Sequence, residues 1–120
     1  MDKNNIIRDN LYAFAIRIVN AYKFLTESKK EFVLSKQLLR SGTAVGALVS
    51  EAIFAQSGPD FLNKMYIALK EANETKYWLD LLKDTEYIEE VQYDSISNDC
   101  KELVALLVSI VKSMKVTLKK

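Results

Sequence analysis

Four apolar stripes run along the chain, each stepping alternately by three and four residues. The first is Ile7, Leu11, Phe14, Ile18, Tyr22 and Leu25; the second is Leu34, Leu38, Ser41, Val45, Leu48, Ala52 and Ala55. The third is Phe61, Met65, Ala68, Ala72, Thr75, Leu79 and Leu82; the fourth is Ile96, Cys100, Leu103, Leu107, Ile110 and Met114. That spacing keeps one side of an α-helix apolar. The predicted elements are therefore four helices joined by short connections, and short connections force neighbours to run antiparallel. The expected fold is all-α, an antiparallel up-down-up-down four-helix bundle occupying residues 1–120 as one domain.

Punctuation sets the expected boundaries. The first helix is predicted from about Asn5 to Ser28, and Ser28-Lys29-Lys30-Glu31 is a polar break. The second is predicted from about Phe32 to Gln56, ending at Ser57-Gly58-Pro59-Asp60, where Gly58 suits a helix C-terminus and Pro59 cannot continue the helix. Asp60 is the expected cap of the third helix, which reaches about Lys83. Asp84 to Gln92 reads as a polar connection with Tyr87, Ile88 and Val91 folded back on the bundle, and the last helix starts near Asp94 or Ser95.

Apolar residues also lie outside the core stripes. The first helix is apolar almost all round from Ala13 to Val19, interrupted by Arg17; the fourth carries a second stripe, Val104, Val108 and Val111; the third adds Ile67, Trp78 and Leu81. A helix apolar on two sides usually buries both, so these six residues are the expected apolar face of a homo-oligomer. The competing reading is a broad core stripe with some exposed apolar surface. The second helix also carries Gly42 and Gly46 in its interior, and each costs a helix about 1 kcal/mol relative to Ala. They admit a close backbone approach or, alternatively, open a ligand pocket.

The net charge of +1 is unevenly spread: residues 1–30 hold six basic and three acidic groups, residues 59–90 four basic and eight acidic, and no acid follows Glu102. Lys3, Arg8, Lys112, Lys115, Lys119 and Lys120 are the expected contacts if nucleic acid is the partner. The plainer reading places the last lysines against the macrodipole of a helix C-terminus.

The candidate chemistry is sparse. Ile67, Glu71, Glu74, Trp78 and Leu81 share a row, as do Arg40, Ala44, Ala47 and Glu51. Half-buried charges need partners, so Arg40, Glu51, Glu71 and Glu74 are expected to form an interface charge network, with Arg40 gripping Glu71 or Glu74. A di-iron bundle site requires Glu-x-x-His pairs, and the chain has no His. A paired-carboxylate hydrolase needs a cleft that nothing in the pattern marks. No nucleophile–base pair, phosphate loop or metal-ligand spacing is present, so neither catalytic activity nor a cofactor or metal is expected. Cys100, the one cysteine, sits at a core position and reads as a small hydrophobe. The N-terminal Met1-Asp2-Lys3-Asn4-Asn5 lacks a signal-peptide layout, and the run Leu103–Val111 is far short of a bilayer span, which predicts a cytoplasmic protein without a membrane partner.

Two segments resemble a known family: Gln37 to Ala47 with Ser50-Glu51, and Phe61 to Leu82, above all Ala68-Leu69-Lys70-Glu71-Ala72-Asn73-Glu74-Thr75-Lys76-Tyr77-Trp78-Leu79. They are similar to the bacterial four-helix bundle proteins encoded in intervening sequences of 23S ribosomal RNA genes, a fold shared with the accessory variability determinant of diversity-generating retroelements. The resemblance implies a closed homo-oligomer, commonly a homopentameric barrel with a central channel. Its retroelement relatives bind a reverse transcriptase and RNA through basic surfaces. Arg40, Glu51, Glu71 and Glu74 match the family's charged positions; Ala44, Leu48 and Ala52 depart from its pattern and make the second helix more apolar. The expected function is that of a non-enzymatic oligomeric scaffold or accessory factor meeting RNA, or a reverse-transcriptase- or ribosome-related partner, through a basic rim. The alternative is a protein–protein adaptor using the acidic third helix and Trp78.

Overall fold

In the computed structural model the chain forms α1 (Lys3–Glu27), α2 (Leu34–Ile53), α3 (Gly58–Asp84) and α4 (Glu90–Lys119). The structure describes the backbone of residues 3–119 and the side chains of residues 6–118. The four helices pack as a bundle 50 Å long and 26 by 21 Å across. Cross-helix pairs show neighbours running in opposite directions: Thr75 meets Ser41, Lys64 meets Glu51, and the Cys100 thiol donates to the Ala72 carbonyl. α2 packs closely on α1 and α3, and α3 on α4, whereas α1 and α4 scarcely touch.

The core follows the stripes closely. Ile18, Leu25, Leu38, Leu79, Leu82 and Leu107 are fully buried, and each removes enough apolar surface from water to contribute about 2 kcal/mol. On α2, Val49 rather than Leu48 is fully buried; on α4, Val111 rather than Ile110 enters the core. Both shifts have one cause. Three-four spacing drifts against the 3.6-residue turn, so the inward residue changes along a long helix. The polar members of the stripes, Ser41 and Thr75, satisfy each other: the Thr75 hydroxyl lies 3.0 Å from that of Ser41 and donates within the same turn to the Glu71 carbonyl at 2.8 Å.

The turns differ from expectation in instructive ways. Glu31 is a buried cap, not a solvated break. Its carboxylate accepts the backbone N–H of Ser35 at 2.7 Å, Leu34 at 3.0 Å and Val33 at 3.2 Å, while the Ser35 hydroxyl donates to the Glu31 carbonyl. α2 therefore begins at Leu34, two residues later than predicted. Burial alone raises the Glu31 carboxyl, but the three N–H groups outweigh it and hold it below its ordinary value of 4.5.

At the next turn Ser57, not Asp60, caps α3 by accepting the Asp60 N–H at 3.2 Å. Gly58 and Pro59 then open α3 instead of closing α2, because proline's missing N–H is harmless in a first turn. Just past the end of α3 at Asp84, Glu86 takes the left-handed region, which lets the Tyr87 N–H reach the Leu82 carbonyl at 2.9 Å. α4 starts at Glu90, earlier than predicted, because the Gln92 side chain accepts the Glu89 N–H at 3.0 Å, half of a capping box. Tyr87 and Ile88 pack against the core as expected, but Val91 is 79% exposed on the first turn of α4. Among the described residues no helix is long and apolar enough to cross a membrane.

Candidate functional site

Arg40 projects from α2 onto α3 and bridges both Glu71, at 3.2 Å, and Glu74. Glu51 does not join this cluster; it pairs with Lys64 at 3.6 Å. The four charges expected as one network are thus two separate ion-pair clusters between α2 and α3. The Arg40 side chain is 53% exposed, so water screens the pair to well under about 1 kcal/mol. Its effect is on register, reinforced below by the Ser41–Thr75 bond. Ile67, Trp78, Leu81, Val104 and Val108 are half-buried, whereas Val111 is only 5% exposed and belongs to the core of the bundle. Val111 is therefore corrected from oligomer face to core. Trp78 has a buried indole N–H without an acceptor among the described residues, and exposed Tyr77 stands edge-on to it at 5.0 Å.

The basic candidates gather at one end. Arg8 lines the same groove as Ser50 near the end of α2, and the Lys115 ammonium sits 4.8 Å over the Tyr66 ring in the first third of α3. Arg8, Lys112 and Lys115 are all exposed there. The side chains of Lys3 and Lys119 lie outside the described residues, as does Lys120 altogether. Phe54, Val116 and Leu118 are exposed at the same end.

The two interior glycines part company. A Cβ on Gly42 would come within 2.7 Å of Ile18, so this glycine lets α1 and α2 approach. A Cβ on Gly46 would meet Leu11 at an ordinary 3.6 Å. Gly46 opens instead onto a groove of about 570 Å³ between α1 and α2, lined also by Arg8, Asp9, Tyr12, Ala15, Thr43, Ala47 and Ser50.

The α1–α4 seam holds a feature the stripes hid. Arg17 donates to Asp99 and to the Ser95 hydroxyl at 2.8 Å and carbonyl at 3.3 Å. This clamp lies between two further grooves, of about 460 and 230 Å³. The available signal was Arg17 itself, the lone charge in an apolar stretch.

A second unforeseen cluster joins α3 to α4: Lys76 contacts both oxygens of Asp80, at 2.7 and 3.0 Å, and the Tyr93 hydroxyl at 3.1 Å, while Tyr93 donates to Asp80. The hydrogen bond to Asp80 raises the Lys76 ammonium above its ordinary value. Burial pushes the Asp80 carboxyl up, but Lys76 and Tyr93 outweigh it and hold it low. Both groups stay charged, as a structural pair does. Burial pushes the neighbouring Cys100 thiol up to about 11, which leaves it protonated and unreactive. Among the described residues no group of three or more His, Cys, Asp or Glu could hold a metal ion.

Comparison with known proteins places this architecture. No functionally curated protein matches the sequence. A crystal structure of a protein of unknown function from the S23 ribosomal protein family of Bacteroides thetaiotaomicron superposes with a TM-score of 0.90. The two sequences are 59% identical over 92% of this chain and 99% of that one. The family model for the 23S rRNA-intervening sequence protein matches residues 3–109. On that match, together with the four packed helices, the chain belongs to the 23S rRNA-intervening sequence protein family.

Proposed function

We propose that the protein is a non-catalytic, self-associating helical scaffold that presents a basic end to RNA in the cytoplasm. The carrying observation is the convergence of exposed Arg8, Lys112 and Lys115 on one end of the bundle. Self-association is supported by apolar surface left on the outside of the single chain: Ile6 and Ile16 on α1, and Tyr77 beside half-buried Trp78 on α3. Closed symmetric assemblies are the usual way to bury such surface, and the family resemblance favours a ring of five copies. A ring repeats one weak basic patch several times, and repetition raises avidity without new contacts. The adaptor reading draws on the same Trp78 surface but leaves the basic end without a role.

The test is RNA affinity as a function of salt for the wild type and for Arg8→Glu/Lys112→Glu/Lys115→Glu. Removing one phosphate interaction reduces the slope of log affinity against log salt by about 0.7–0.9. A triple reversal is expected to flatten the slope by roughly two and to weaken binding at every sequence tried. An unchanged slope and affinity would exclude this end as the RNA surface.

A further inference from the structure

The groove beside Gly46 has the shape and chemistry of a recognition site, and we propose that it binds one nucleotide unit, with the base stacked on Tyr12. Tyr12 is 72% exposed, so its ring face is open to a second flat group. A tyrosine that contributes so little to its own core is available for stacking, the sequence-tolerant way proteins hold single-stranded bases.

Arg8 lies one helical turn before Tyr12 on the same side of α1 and lines the same groove. Residues four apart on a helix are roughly 6 Å apart, so a base on Tyr12 leaves its phosphate within reach of the Arg8 guanidinium. Across the groove α2 presents Thr43, Gly46 and Ser50 at steps of three and four, hence on one face. The Thr43 hydroxyl donates to the Leu39 carbonyl at 2.7 Å, which leaves its oxygen as an acceptor for a ribose hydroxyl. Ser50 supplies a hydroxyl that can donate and accept.

Gly46 lies on the floor: a Cβ there would meet Leu11 at an ordinary 3.6 Å, so the packing of α1 on α2 does not require a glycine at this position. Asp9 completes the lining. A carboxylate repels phosphate but accepts from an amino group on a base edge, so the site favours a base bearing an exocyclic amine over uracil. Among the described residues neither Arg8 nor Asp9 is engaged in an ion pair.

This site deepens the RNA reading, on which its biological use rests, while its chemistry also fits a free nucleotide. Two probes separate the sources: a seven-nucleotide single-stranded RNA carrying one 2-aminopurine, and adenosine 5′-monophosphate. Stacking on Tyr12 quenches the 2-aminopurine. Tyr12→Ala is expected to remove the quenching and lower oligonucleotide affinity by roughly tenfold or more, while Tyr12→Phe retains both. Ala47→Leu, a surface change that fills the groove without touching the core, is expected to block binding of either probe.

Binding of the monophosphate but not the strand, sensitive to both variants, would assign the groove to free nucleotides and remove the RNA reading. Binding of the strand that responds to reversal of Lys112 and Lys115 but not to Tyr12→Ala or Ala47→Leu would overturn the groove site and leave the basic end standing. Failure of both probes to bind would overturn the proposal.

Discussion

The flanks of α2 and the seam between α1 and α4 are built by opposite rules. α2 is gripped on both sides. Toward α1, Gly42 brings the backbones together over Ile18, and Glu31 ties the turn with three backbone hydrogen bonds. Toward α3, the Ser41–Thr75 bond lies under the Arg40–Glu71–Glu74 bridge. The α1–α4 seam has the Arg17 clamp and grooves on either side. Close packing that depends on a missing Cβ leaves little room to adjust, whereas a seam held by the half-exposed Arg17 contacts to Asp99 and Ser95 is the weaker of the two. α4 is thus held in the bundle mainly through α3, and the α1–α4 seam is the sparsest of its helix contacts.

The largest expected effect breaks the tight side. Gly42→Ala forces a Cβ into Ile18 and is expected to cost about 1–3 kcal/mol. Gly46→Ala, one turn along the same helix, is expected to gain up to about 1 kcal/mol, because its Cβ fits and alanine favours the helix. Urea midpoints of the two variants at one protein concentration check this. Equal effects would mean that α1 and α2 do not approach as described.

Next comes the α1–α2 turn. Glu31→Gln is expected to cost about 1 kcal/mol at neutral pH, since a cap to three N–H groups loses its charge. The pH dependence has a definite sign. The folded carboxyl titrates below the ordinary value of 4.5, so the stabilisation is complete above that value and is lost as pH falls through the lowered folded value. The difference in urea midpoint between wild type and Glu31→Gln should therefore hold from neutral pH to about 5 and shrink below it. A difference that grows on acidification would show that the carboxylate is not the cap.

The smallest effect belongs to the loose side. Arg17→Ala is expected to cost under about 1 kcal/mol, because both partners are more than a third exposed. Its signature is local: amide exchange on the first half of α4 should quicken while α2 stays protected. A loss of several kcal/mol would show that the α1–α4 seam is a true core contact.

The contrast also explains what could be read from the sequence. Spacing alone marks the four helices and nearly every buried side chain, because burial on a helix is a matter of period. Arg40 meets Glu71 and Glu74 as expected, because long charged side chains on adjoining rows find one another. Boundaries are harder to read. Glu31 and Gln92 act through short hydrogen bonds to nearby backbone, and an acidic or amide residue in a polar run looks the same whether it caps or floats. Gly58-Pro59 stands on the opposite side of its turn from the expected one, since both residues suit an end and a beginning. The role of Gly46 is hidden for another reason: two glycines four apart read alike until the neighbouring helix shows which one is filled by Ile18 and which one faces a groove.

Self-association is the central claim, and native mass spectrometry of protein purified at low salt tests it most directly. A discrete closed oligomer, with nucleic acid retained at low salt and released at high salt, is the result expected of a ring that repeats the Arg8, Lys112 and Lys115 end. A clean monomer free of nucleic acid at micromolar concentration would contradict the scaffold and leave the exposed Ile6, Ile16 and Tyr77 surfaces to be explained by a different partner.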